Sequence, residues 1–186
     1  MHGAGAMSDN RLFQLLAIAY VLVIYGTSGW MRLVSTLARE LAGGFLGLLM
    51  TAGLAMTLAA ILAAIYRFRR PTRLLPYVPV VLGYCAALAW LTIPEERFHL
   101  LQYGILCLLC DRAMPAAIGG LRRHLLVITL VSLAGIGDEL IQWLRPNRVG
   151  DLRDVAINAA AALLAQSLIA ITALSGIRRP AAGDRE

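Results

Sequence analysis

Long apolar runs separated by short polar breaks set the rhythm of this chain. Residues 12–31, 41–66, 74–93, 98–114, 124–144 and 155–175 are each dominated by Leu, Ala, Ile and Val. A helix needs about 20 apolar residues to cross the hydrocarbon of a bilayer, with a range of roughly 17–25. The pattern therefore predicts an all-α fold, a polytopic transmembrane bundle of about six helices. The fourth segment is the shortest, bounded by Glu95-Glu96-Arg97 and Asp111-Arg112. In the second, Gly43, Gly44, Gly47 and Gly53 recur at near-helical spacing and predict the close approach of another helix. Pro71, Pro76 and Pro94 mark helix ends or entry turns. No internal repeat or long linker divides the chain.

Composition gives the same class by another route. Of 186 residues, 59% are hydrophobic and 15% charged, and the mean hydropathy is +0.71. That leaves too little polar surface to coat a soluble domain of this size. Cys85, Cys107 and Cys110 all fall within apolar runs, which speaks against a disulfide framework. The run from Leu12 to Tyr25, followed by Gly-Thr-Ser-Gly, has the dimensions of a signal-peptide core. A retained first helix is the expectation, because the other segments are themselves membrane-embedded. Met7 offers a second start, and the closing RRPAAGDRE reads as a frayed terminus.

The net charge of +6 belongs to arginine alone, since the chain has no lysine. The arginines sit between apolar runs, so bilayer orientation accounts for them and nucleic acid is not the expected partner. Eleven lie at the N-terminus, around 67–73, around 112–123 and at the C-terminus; six lie in the alternate loops. The bias predicts both termini in the cytoplasm. The run RFRRPTR then faces the anionic inner leaflet.

One stretch breaks the apolar monotony. Residues 137–158, GDELIQWLRPNRVGDLRDVAIN, carry Asp138, Glu139 and Gln142 near the end of the fifth segment. Gly135, Asp138, Glu139 and Gln142 share a helical face. Arg145-Pro-Asn-Arg148-Val-Gly150 is turn chemistry. Asp151 is the expected N-cap of the sixth helix, with Asp154 in its first turn and Asn158 one turn deeper. The fourth segment begins at the same side with PEERFHLLQYG, which puts Glu95, His99, Gln102 and Tyr103 on one face. Three helix ends thus bring polar faces to one level. Ionisable groups at that depth cost about 2.5–3.5 kcal/mol each unless they find partners or water.

The order of these residues resembles the VanZ-like family of small bacterial membrane proteins. The shared pattern is His99 four residues before Tyr103, Glu139 three before Gln142, Arg148 after a proline-containing turn, and Asp154 four before Asn158. It covers about 95–165, so residues 95–175 form the expected VanZ-like core, after helices in 1–94 and before a cytoplasmic tail, 176–186. Where family members often have glycines after the Asn, this chain has AAAALLA. The resemblance implies a bacterial plasma-membrane protein acting at the cell envelope, with an effect on glycopeptide (teicoplanin-type) susceptibility.

Two kinds of function fit these residues. In the first, an outward-facing recess binds, and in one version modifies, an anionic lipid or glycan precursor. Arg148, with Arg145 or Arg97, would grip phosphate or carboxylate. His99 and Glu139 would move protons, and Tyr103, Gln142, Asn158, Asp138, Asp154 and Glu95 would complete the site. In the second, the polar cluster is a lock holding helices together in a non-enzymatic scaffold or partner protein. A small transporter is a weaker third. Trp143 reads as an interfacial residue, His124 as solvated, and Cys107-x-x-Cys110 as core packing rather than a metal or redox site. Neither a metal nor a cofactor is expected.

Overall fold

The computed structural model describes residues 3–28, 30, 75–145 and 150–174, together with scattered positions between 36 and 66, the side chains of 3–9, 94, 95 and 174 excepted. Every regular element among them is helical: α1 (Gly3–Thr27), α2 (Val78–Trp90), α3 (Pro94–Ala113), α4 (Gly120–Trp143) and α5 (Leu152–Leu174). The described positions within 36–66 are helical too. Among the described residues, three stretches are long and apolar enough to cross a membrane: Asn10–Thr27, Gly120–Trp143 and Leu152–Ala173. Their outward side chains, among them Leu15, Leu22, Leu125, Leu133 and Leu163, are exposed. Such surfaces fit an integral membrane protein, with lipid covering what water would not.

The helix ends follow from local chemistry. Pro94 opens α3, where its missing N–H costs nothing, and Pro115 follows its last turn. Gly120 takes a left-handed φ of 58° at the start of α4, a conformation that favours glycine. Asp151 caps α5 as expected: its Oδ1 accepts the Arg153 N–H at 2.8 Å.

Segment boundaries shift where polar residues continue a helix. The fourth segment, expected to be the shortest, belongs to a full 20-residue helix. The shortest of the five is α2, with 13. Hydropathy hid the first turn of α3 because it carries Glu95, Glu96 and Arg97, and α3 is not among the helices apolar enough to span on composition. The first helix likewise starts at Gly3 rather than residue 12. The expected close approach at the glycines of the second segment is not made at Gly53, where nothing described lies within 4 Å of a would-be Cβ. Gly43, Gly44 and Gly47 lie outside the described residues.

Helix α3 packs against α1, α4 and α5, and α5 packs in turn on α4 and α2. Hydrogen bonds fix the directions. His99 near the start of α3 reaches Asn158 near the start of α5, whereas Tyr103 reaches Asp138 near the end of α4. Helices α3 and α5 thus run one way and α4 the other. The shared core is Leu100, Tyr103, Leu106, Cys107, Val127, Val131, Ile157, Ala161, Ala162 and Ala165, with Ile24 from α1 and Leu91. The alanines of α5 let α3 and α4 close on it without displacing bulk.

Candidate functional site

Helix α4 ends on a buried stripe. Val127, Val131, Gly135, Asp138, Glu139 and Gln142 all face inward, and the stripe changes from apolar to acidic in its last two turns. Two carboxylates this deep, Asp138 at 3% exposure and Glu139 at 1%, persist only with hydrogen bonds. The Tyr103 hydroxyl donates to Asp138 Oδ2 at 3.3 Å. Gln142 Nε2 donates to Glu139 Oε1 at 2.9 Å, and the Asp151 backbone N–H donates to Glu139 Oε2 at 3.0 Å. Glu139 therefore spans the turn and holds the start of α5 against the end of α4. The Trp143 indole N–H, donating to the Gly150 carbonyl, closes the same turn from outside. Tyr25 from α1 completes the wall, its hydroxyl donating to the Ala134 carbonyl at 3.0 Å.

The third helix brings its histidine to the same place. His99 Nδ1 lies 2.8 Å from Asn158 Oδ1, and the imidazole stacks on Tyr103 with ring centroids 6.0 Å apart and planes 2° from parallel. Asn158 is fully buried, seated against Gly135. Glycine is required there because a Cβ would stand 2.8 Å from the Asn158 Cβ.

His99, Tyr103, Asp138, Glu139, Gln142 and Asn158 thus gather at one end of the bundle, drawn from three helices. Asp154 stays half-buried at the start of α5; its backbone N–H donates to the Asp151 carbonyl at 3.0 Å, and its side chain makes no hydrogen bond among the described residues. Arg148 lies outside the described residues, as does the side chain of Glu95. Arg97 donates through Nε to the Leu91 carbonyl at 2.9 Å and through Nη1 to Thr51 Oγ1, so it ties the second segment and the α2–α3 turn together. Arg145 is half-buried and finds no side-chain partner among the described residues.

Sequence reasoning missed a contact beside this cluster. Arg153 Nη1 lies 2.6 Å from Glu96 Oε1, with its guanidinium 4.7 Å from the centroid of the Trp90 ring. The pair joins the starts of α3 and α5 to the end of α2. Charge and spacing do not reveal it, because Glu96 and Trp90 lie 57 and 63 residues from Arg153 in sequence.

The opposite end holds a second polar network. Arg123 Nε donates to Asp111 Oδ1 at 3.0 Å, and Gln166 Nε2 donates to the same oxygen at 3.0 Å. Gln166 Nε2 also lies 2.7 Å from His124 Nδ1, and the Cys107 thiol donates to Gln166 Oε1 at 3.1 Å. His124 is therefore half-buried in a network rather than solvated. Cys107 packs in the core as expected, though with a polar partner. No group of His, Cys, Asp or Glu among the described residues is arranged to hold a metal ion.

Comparison with protein-family models, curated proteins and solved structures found no match to this chain.

Proposed function

We propose that this chain is a polytopic membrane protein of VanZ-like type with both termini cytoplasmic. The end built by α3, α4 and α5 faces the cell exterior and binds an anionic envelope lipid or glycan precursor. The observation that carries this is the burial of Asp138 and Glu139 side by side, next to His99 and Asn158, in a bundle sheathed by leucine. Ionisable groups in such surroundings cost several kcal/mol, and apolar residues of similar volume hold helices together at least as well. Retaining two acids, a histidine and an amide at one level favours a site that meets a polar ligand. The half-buried Arg145, just past the end of α4, supplies a cation, and Arg148 follows it by three residues in the sequence. The VanZ-like order of residues supports a role at the cell envelope, with glycopeptide susceptibility as the expected phenotype.

Native mass spectrometry of the purified protein tests this. The wild type is expected to retain an anionic lipid or precursor. Glu139→Gln and Arg148→Ala, made singly, are expected to lose it and to change teicoplanin susceptibility at unchanged membrane abundance. Loss of folded protein in both variants would leave the lock instead. That second reading, a scaffold whose cluster only fastens helices, is favoured by the Glu139 bond to the Asp151 N–H and by the Arg153–Glu96 pair. It expects no co-purified ligand.

A further inference from the structure

The chain has three tryptophans, and all are exposed: Trp30 at 67%, Trp90 at 59% and Trp143 at 49%. They belong to three separate stretches of sequence, yet the fold brings them to one end. Trp143 is the last residue of α4. Trp90 is the last residue of α2 and lies against Arg153 near the start of α5. At the other end of α2, the Tyr77 hydroxyl donates to Thr172 Oγ1, near the end of α5, at 3.3 Å. Helix α2 therefore runs against α5 and finishes beside the polar cluster. Trp30 follows α1, its backbone N–H donating to the Thr27 carbonyl at 2.9 Å. Helix α1 begins beside the end of α3, where Gln14 Nε2 donates to the Ala113 carbonyl at 3.3 Å. It finishes beside the last turns of α4, through the Tyr25 bond to Ala134.

The opposite end carries no tryptophan. It exposes arginines instead: Arg11 in α1, Arg112 in the last turn of α3 and Arg122 in the first turn of α4. Helix α4 measures the gap between the two levels. From Arg122 to Trp143 is roughly 32 Å at about 1.5 Å per residue, close to the hydrocarbon thickness of about 30 Å. On α1, Arg11 to Thr27 spans about 24 Å, with Trp30 just beyond. An indole is an apolar ring with one N–H, so it is best satisfied where acyl chains meet headgroups. A guanidinium on a long apolar stem reaches out to phosphates.

We propose that Trp30, Trp90 and Trp143 form a membrane-interface surface seated in the headgroup–acyl boundary of one leaflet. Phospholipid is its partner, and Arg11, Arg112 and Arg122 meet the phosphates of the other leaflet. Arg153, paired with Glu96, lies at the tryptophan level. The assignment depends neither on which leaflet this is nor on the ligand named under Proposed function. It fixes the depth of the polar cluster. Asp138 and Glu139 precede Trp143 on the same helix by five and four residues, so they lie about 6–8 Å inside the tryptophan level. The bilayer midplane is about 15 Å inside it. Transporter sites lie near the midplane, so this depth speaks against the transporter reading.

Fluorotryptophan labelling of the full chain in nanodiscs gives three 19F resonances. Trp30→Phe, Trp90→Phe and Trp143→Phe each remove one and so assign it, while the depth itself is read on the unsubstituted sequence. All three resonances are expected to broaden strongly with a lipid spin label near the headgroup and weakly with one at the chain end. Stronger broadening of any of them by the chain-end label overturns the common level. Absence of broadening by either label at all three would assign the ring to another protein chain and overturns the lipid partner. Sidedness is read in sealed vesicles sorted to one protein orientation, with an impermeant gadolinium chelate outside. The three resonances are expected to respond together or not at all, and a split response overturns the single leaflet.

Discussion

Replacing Gly135 by alanine tests the packing on which the cluster depends. The new Cβ would stand 2.8 Å from the Asn158 Cβ, where two carbons in contact prefer about 3.5–4.0 Å. Helices α4 and α5 must then part by roughly 0.7–1.2 Å. Neither atom can swing aside, because each is fixed to its own backbone. Overpacking of this kind costs about 1–3 kcal/mol, against a gain of roughly 1 kcal/mol for Ala over Gly in a helix, leaving a net loss of about 0–2 kcal/mol. Gly83 makes the instructive comparison. A Cβ there would come still closer to its neighbour, 2.6 Å from Leu164 Cδ2, yet that atom is a terminal methyl. A rotamer change costing about 0.5–1.5 kcal/mol clears it, and helix propensity offsets most of this, so Gly83→Ala is expected within about 0.5 kcal/mol of wild type. Gly26, within α1 and with nothing within 4 Å, is the control that reads the helix-propensity gain alone. Reversible unfolding in mixed micelles, titrated with a denaturing detergent, would rank the three. If Gly83→Ala were the most destabilised, or Gly135→Ala gained as much stability as Gly26→Ala, the tight α4–α5 crossing at Asn158 would be refuted.

Three further outcomes follow from single contacts. Removing Arg153 leaves the buried Glu96 carboxylate without its 2.6 Å partner, so Arg153→Ala is expected to lower stability by about 1 kcal/mol, discounted for the partly exposed guanidinium. Arg153→Ala with Glu96→Gln should recover part of that loss in a double-mutant cycle, and strict additivity would contradict the pairing. Gln166→Leu strands Asp111, His124 and the Cys107 thiol in a nearly isosteric pocket. A loss of about 1–3 kcal/mol in the same unfolding assay is expected, and a neutral result would show that the second network is not closed through this amide. Asp151→Ala removes the side-chain cap of α5 but keeps the backbone N–H that Glu139 holds. It should cost about 1 kcal/mol and fray the first turn in amide exchange, leaving any lipid retained by the protein unchanged.

Much of the candidate site was legible in the sequence because helical periodicity is local. Spacing by three and four puts Asp138, Glu139 and Gln142 on one face whatever surrounds them, and Asp151 caps α5 through a bond to a residue two positions on. The apolar runs likewise gave helices and a membrane-like composition, since hydropathy measures a property of the residues themselves. Hydropathy failed at helix ends, where Glu95, Glu96 and Arg97 continue α3 as well as any leucine would. It also failed to find Glu96–Arg153–Trp90 and the role of His124, which join residues far apart along the chain.

The amino-acid order alone determined that helices form, where their acidic and amide residues fall on each face, and that bulk water is not their natural surrounding. Which faces meet was decided by tertiary packing. Alanines at 161, 162 and 165 and glycine at 135 let α3, α4 and α5 close on one another. That closeness put His99 on Asn158, Tyr103 on Asp138 and Gln166 between Asp111 and His124. The physical reason is range: backbone propensity and hydropathy act within a turn or a segment, whereas a hydrogen bond between buried groups exists only once their helices have excluded everything else.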